Sequence, residues 1–80
     1  MKQKRIMLSN AEEVKSFVAA ASKCNFDIDV FYNRVVIDAK SLLGVMSLDL
    51  TRVLTVQYSG DSQAFEAFLD KMVAKNMTAA

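Results

Sequence analysis

The chain has 80 residues, of which 52% are hydrophobic and 24% are charged, and its formal net charge is +1. This length suits one domain, predicted to span residues 1–80, and the apolar content is sufficient for a core without disulfides. A charge so close to balance gives no general attraction to nucleic acid or acidic membranes. No apolar run is long enough for a signal peptide or a membrane span, so we expect a cytosolic protein.

The chain opens with a predicted strand followed by a helix start. Residues 3–8 are expected to form the strand, with Ile6 and Leu8 on one face. Asn10 then has the character of a helix N-cap, and Glu13, three residues later, can complete a capping box. The first helix is therefore predicted to begin directly after Asn10.

The next segment predicts a helix and then a β-hairpin. The helix is expected to end at Asn25 in the left-handed conformation. Residues 26–32 start as strict alternation of apolar and polar residues and predict a strand. Asn33 and Arg34 are predicted to form a tight turn, with residues 35–38 as the returning strand. The apolar stripe of the helix, spaced at three and four residues, consists of Val14, Phe17, Val18, Ala21 and Cys24.

The second half predicts a short helix, a strand and a long helix. Ser41 can cap the short helix, and residues 52–58 form the strand. Residues 60–62 break the chain and cap the last helix. The short helix carries Leu42, Leu43, Val45 and Met46, and the strand directs Leu54, Val56 and Tyr58 to one face. The last helix repeats the apolar stripe with Phe65, Phe68, Leu69, Met72 and Val73.

The predicted order of elements is β-α-β-β-α-β-α. Amphipathic helices and a sheet with one polar face are most simply accommodated when the helices pack together on the other face. The fold class is therefore α+β, an open-faced β-sandwich with a four-stranded antiparallel sheet.

One segment carries a family resemblance. Residues 39–48 read AKSLLGVMSL, and this segment resembles the second-helix region of HPr, the small phosphocarrier of the bacterial sugar phosphotransferase system. The similarity is greatest to the Gram-positive form, in which a Lys-Ser-apolar-Met-Gly-Val-Met-Ser-Leu run is usual. It extends upstream to Phe17 and downstream through residues 54–56 and 60–61 into the last helix. The resemblance implies the HPr-like fold, with the same order of elements.

The other half of the family signature is missing. HPr carries a Gly-Leu-His-x-Arg-Pro segment at the start of its first helix, and the histidine accepts and donates a phosphoryl group. The 80 residues contain no histidine. Counted back from Phe17 without gaps, the histidine position falls on Asn10, the arginine on Glu12 and the proline on Glu13. An amide cannot carry labile phosphate, so we expect no catalytic residue, no cofactor and no phosphocarrier activity.

The resemblance assigns roles to the second-helix region. Ser41 matches the serine that a dedicated kinase phosphorylates in Gram-positive HPr, after which the phosphoprotein binds a regulator of carbon catabolism. Leu42, Leu43 and Met46 match the exposed patch on which partner enzymes dock. A histidine-less paralogue that retains only the serine is known in the family. The resemblance thus implies a regulatory or adaptor module with phosphotransferase or catabolite-regulation partners. From the residues alone, Ser41 is predicted to be a helix cap, with any regulatory role in addition to it, and the apolar side chains can equally be core.

Other functions remain open at this point. The domain can be a diverged HPr-like fold with an unrelated protein partner. A sheet-face RNA-binding module would stack bases on Phe31 or Tyr32, but the third strand lacks the Lys/Arg-Gly-aromatic run of such modules.

Metal and enzyme chemistry find little support in the sequence. Asp27, Asp29 and Asp38 suggest a cation site but are better explained as solvated strand positions. Cys24, the single cysteine, has no histidine or second cysteine to share a metal, so it is predicted to be a small buried or half-buried apolar residue. The motifs of an enzyme, from a nucleophile elbow to a phosphate loop, are missing. We therefore expect neither a metal site nor an enzyme.

Overall fold

The structure is a computed structural model that describes residues 1–77, with side chains described as far as Val73. It contains four strands and three helices in the predicted order. These are β1 (Lys2–Ile6), α1 (Ala11–Ser22), β2 (Ile28–Tyr32), β3 (Val35–Asp38), α2 (Leu42–Met46), β4 (Leu54–Tyr58) and α3 (Gln63–Met77). The sequence-based fold class is thereby confirmed.

The four strands form one antiparallel sheet in the order β1-β4-β2-β3. Alternate residues of each strand point to the same face, and the buried ones all lie on one side. Val30 shows the register, since it pairs with Val56 on one side and with Ile37 on the other. The core on this side contains Ile6, Ile28, Val30, Leu54, Val56 and Tyr58 from the strands.

The helices cover that buried face. The predicted stripe of α1 is buried in full, including Cys24 just beyond its end. The ring centroids of Phe17 in α1 and Phe65 in α3 are 6.1 Å apart, and Phe65 meets Tyr58 of β4 edge-on at 5.5 Å. These aromatic contacts join two helices and the sheet into a single hydrophobic core.

Several predicted boundaries are wrong. β2 begins at Ile28 and not at residue 26, and β4 begins at Leu54 and not at residue 52. β1 ends at Ile6 and not at residue 8, because Ile6 pairs with Leu54, the first residue of β4; Leu8 is nevertheless buried. Asn25 does not end α1 in the left-handed conformation. The helix ends at Ser22, and the N–H groups of Lys23 and Cys24 close it with right-handed turns by donating to carbonyls of the last turn.

The predicted turn between β2 and β3 is confirmed. Tyr32 pairs with Val35, which leaves Asn33 and Arg34 as a two-residue loop. Asn33 has a φ of 53°, a value that asparagine tolerates better than most side chains.

The second side of the sheet carries no buried residue, and we call it the open face. Two rows of side chains cross it, in the order of the strands. The first row consists of Arg5, Thr55, Phe31 and Val36. The second row consists of Gln3, Gln57, Asp29 and Asp38, in which the Gln3 side chain donates to that of Gln57 at 2.7 Å.

Two lysines of β1 lie on the helix side of the sheet and contact α3. Lys2 binds Asp61 and, at 3.1 Å, Glu66, whereas Lys4 binds Asp70. These hydrogen bonds raise the pKa of both lysines above the ordinary value. The ion pairs therefore fasten the edge strand to the last helix from outside the core.

Candidate functional site

The short helix α2 is set against β3 by its local sequence. Ser41 is its N-cap, and the hydroxyl oxygen accepts a hydrogen bond from the backbone N–H of Gly44 at 3.2 Å, as predicted. A Cβ atom at Gly44 would lie only 2.7 Å from Cγ2 of Ile37. The glycine thus allows α2 to approach β3 closely, which determines the side of the helix that faces solvent.

The outward side of α2 is an apolar surface that we call the α2 patch, consisting of Leu42, Leu43 and Met46. Leu43 is 86% exposed, and Leu42 and Met46 are 41% and 43% exposed. Since helical residues are rotated by about 100° from one to the next, the three share one arc of about 100°. Val45 is rotated by about 110° from the middle of this arc, and at 0% exposure it packs in the core. The alternative in which the patch residues are core is therefore wrong.

Ser41 lies beside the α2 patch and is exposed. Its neighbour Lys40 extends away from it, because Nζ of Lys40 donates to the carbonyl oxygen of Cys24 at 2.9 Å. This contact places the start of α2 beside the C-terminal end of α1. The hydroxyl of this exposed serine caps α2 through Gly44.

Asn10 begins α1 as predicted. Its side-chain oxygen accepts from the N–H of Glu13 at 2.9 Å, and a carboxylate oxygen of Glu13 accepts from the N–H of Ser9 at 2.7 Å. The capping box thus reaches one residue further back than its usual form, in which the N-cap N–H is the donor. Glu12 is exposed in the same first turn. This end of α1 is opposite to the end that Lys40 contacts.

The alternatives from the sequence can be placed on the structure. Phe31 lies on the open face, whereas Tyr32 packs half-buried against the core on the helix side. Asp29 and Asp38 face each other across β2 and β3. Within the described part of the chain, no three His, Cys, Asp or Glu side chains come together as a metal site. No described helix combines the length and the apolar character needed to cross a bilayer.

Sequence reasoning missed one exposed apolar feature. Val35 and Val36 of β3 are 44% and 54% exposed, whereas the sequence predicted only that residues 35–38 form the returning strand of a hairpin. No sequence pattern at these two valines indicates their exposure, because the exposure follows from the position of β3 at an edge of the sheet.

A protein-family model matches most of the chain. Residues 10–75 match the PTS-HPr family, described as the phosphotransferase-system HPr component phosphorylation site. The matched region begins at the N-cap of α1 and includes α2. A comparison with curated proteins gave no match.

The solved structures that are similar to this chain include three HPr proteins. HPr-C-His from Thermoanaerobacter tengcongensis has a TM-score of 0.76 and 31% identity, covering 94% of each chain. The phosphocarrier protein HPr from Bacillus anthracis has a TM-score of 0.69 and 27% identity, covering 89% of this chain and 95% of that one. The histidine-containing phosphocarrier protein of Mycoplasma has a TM-score of 0.71 at 19% identity, covering 92% and 94%, and supports the fold alone.

The open-faced sandwich, the short capped helix and the aligned region together define an HPr-like domain of the phosphotransferase system. Its relatives are small phosphocarriers. The chain belongs to the PTS-HPr family.

Proposed function

We propose that this chain is a regulatory or adaptor module of the HPr type, which acts in the cytosol on protein partners and does not carry phosphate on histidine. The observation that carries the proposal is the exposed α2 patch beside the exposed Ser41. An apolar cluster held outward on a short helix is typical of an interaction surface. The expected partners belong to the phosphotransferase or catabolite-regulation type.

The chemistry at the start of α1 supports a role without phosphate transfer. The chain has no histidine, and Asn10 uses its amide oxygen to cap the helix. Glu12 adds a negative charge where the family resemblance places an arginine. A phosphoryl group approaching this turn would meet repulsion instead of a bidentate clamp.

Ser41 is the proposed regulatory site. A phosphate on its hydroxyl would add about −1.5 to −2 charge at neutral pH. The result would be a dianion next to three apolar side chains, a combination that a partner can bind with an arginine beside an apolar pocket. Because Ser41 is exposed and lies outside the core, the modification requires no opening of the core.

The first experiment tests where phosphate is accepted. Treatment with a Gram-positive HPr kinase and ATP, followed by mass spectrometry, should give one phosphate on Ser41. Ser41→Ala should abolish it, and Ser47→Ala, which changes the exposed serine at the other end of α2, should not. Phosphoenolpyruvate with the general phosphotransferase enzyme should leave no acid-labile phosphate. An unmodified Ser41 would instead favour a diverged HPr-like domain with an unrelated partner, and acid-labile phosphate would overturn the loss of carrier activity.

The second experiment tests docking on the α2 patch. The Ser41-phosphorylated protein is titrated against a Gram-positive catabolite regulator by calorimetry. Leu43→Asp should weaken binding by about tenfold or more, as expected for a central contact. Val53→Asp changes an exposed valine outside the patch and should leave the affinity unchanged. Equal losses in both variants would refute docking through α2.

A further inference from the structure

The two edges of the sheet differ in their chemistry. β1, at one edge, carries Lys2, Gln3, Lys4 and Arg5 in sequence. Charged side chains of this kind oppose the addition of another strand. β3, at the other edge, presents Val35 and Val36 at 44% and 54% exposure. Of the two edges, only β3 has the apolar surface that strand addition requires.

The backbone of β3 also has groups directed outward. The N–H of Ala39 donates to the carbonyl of Ile28 at 2.9 Å, which makes these residues a hydrogen-bonded pair. In an antiparallel ladder such pairs alternate, so Ile37 and Val35 use their backbone groups towards β2. The N–H and C=O of Val36, and the N–H of Asp38, therefore point away from the sheet.

The charges around β3 are self-complementary about Val36: they match those of an antiparallel copy of the same segment. Residues 34–38 read RVVID, with a cation at one end and an anion at the other. If two such strands pair antiparallel about Val36, Arg34 of one copy lies opposite Asp38 of the other, and this happens twice. Each Val36 faces the other across the twofold axis, and each Val35 faces an Ile37.

The open face contains a second feature that this pairing would complete. Asp29 and Asp38 lie directly opposite each other on neighbouring strands, an arrangement that is destabilising for like charges. Neither carboxylate forms an ion pair within the described residues. In the paired form, Arg34 of the second copy would lie next to Asp38 and extend the row that contains Asp29 and Asp38. The row that contains Phe31 and Val36 would be extended by the same row of the second copy.

We propose that β3 is a self-pairing edge through which two copies of this chain form a continuous eight-stranded sheet. The Val36 pair supplies two hydrogen bonds, and the N–H of each Asp38 donates to the second copy's Arg34 carbonyl. The carbonyl of Asp38 already accepts from the N–H of Ser41 at 3.0 Å. A register centred on Ile37 would place Asp38 opposite Val36 and leave every charge unpaired. The contact is short, so the dimer is weak and forms at high chain concentration.

The first test measures self-association directly. Sedimentation velocity of the full chain from about 20 µM to about 1 mM, a range suited to a weak dimer, should show a growing dimer fraction. Over the same range, amide NMR shifts should change at residues 34–38. Val36→Lys should weaken the dimer by about tenfold or more, because two ammonium groups would meet at the axis. The matched Val53→Lys, at a valine that is 40% exposed elsewhere, should not. A wild type that is monomeric throughout, or equal effects of the two variants, would overturn the proposal.

The second test changes the two charged residues, Arg34 and Asp38, and leaves Val36 in place. Arg34→Asp and Asp38→Lys should each weaken the dimer about three- to tenfold, since like charges then oppose each other twice. The double variant restores opposite charges at both positions and should recover the wild-type dissociation constant. Additive weakening in the double variant would overturn the pairing about Val36, whereas recovery cannot arise from an unspecific apolar association.

Discussion

Replacing Leu43 by aspartate should leave the fold almost as stable as the wild type, because so little of this side chain is buried. Full burial of a leucine contributes about 1.5–3 kcal/mol, and Leu43 is 86% exposed. Its burial therefore contributes only about 0.2–0.4 kcal/mol. Aspartate lowers helix propensity slightly but is favoured in the first turn, so the net change should be within about 1 kcal/mol.

Val45→Ala is the matched core control on the same helix. Val45 is fully buried, and removing two methyl groups there should cost about 2–3 kcal/mol through lost burial and the cavity left behind. Urea unfolding followed by circular dichroism separates these values readily. If Leu43→Asp destabilises the protein as strongly as Val45→Ala, Leu43 is a packing residue and the α2 patch is not a free surface.

Three further predictions concern the helix cap and the sheet. Asn10→Ala should lower the free energy of unfolding by about 1 kcal/mol, while Asn10→Asp retains the cap; equal losses would refute the capping role. The buried hydroxyl of Tyr58 makes no hydrogen bond of normal geometry with the described residues, so Tyr58→Phe should be neutral or stabilising in thermal unfolding, and a loss above about 1 kcal/mol would contradict this. Stability should also fall as the pH rises above about 10. Burial, followed by the charge of Glu66, raises the pKa of Tyr58, and the acidic partners of Lys2 and Lys4 raise the pKa of each lysine. The folded state therefore holds protons that the unfolded state releases. A free energy of unfolding that stays constant between pH 9 and pH 11 (about one unit on either side of the ordinary values) would refute these contributions.

The helices and their buried sides could be predicted from the sequence because each depends on local spacing. The stripe from Val14 to Cys24 and the caps at Asn10 and Ser41 involve contacts within one element or one turn. The end of β1 could not be predicted, since it depends on where β4 begins. The conformation at Asn25 was predicted from residue preference, but the helix end was decided by hydrogen bonds from the two residues before it.

The residues of the candidate site could be predicted from the sequence, but their exposure on one side of α2 could not. The resemblance assigned Leu42, Leu43 and Met46 to one surface, but the alternation of apolar residues could not separate them from Val45. Their separation required the close approach of Gly44 to Ile37, a contact between α2 and β3. The exposed edge at Val36 was not predictable, because strand order is a property of the whole sheet.

The fastening of β1 to the last part of the chain has a consequence for folding order. β1 pairs with β4, and its lysines bind Asp61, Glu66 and Asp70, so its partners are synthesised some fifty to sixty-five residues later. On the ribosome the first strand must wait, unpaired, while the β2–β3 hairpin and α1 can form earlier from local contacts. Its four polar residues keep the waiting segment from aggregating. The same composition that blocks the finished edge thus protects the nascent chain until β4 arrives.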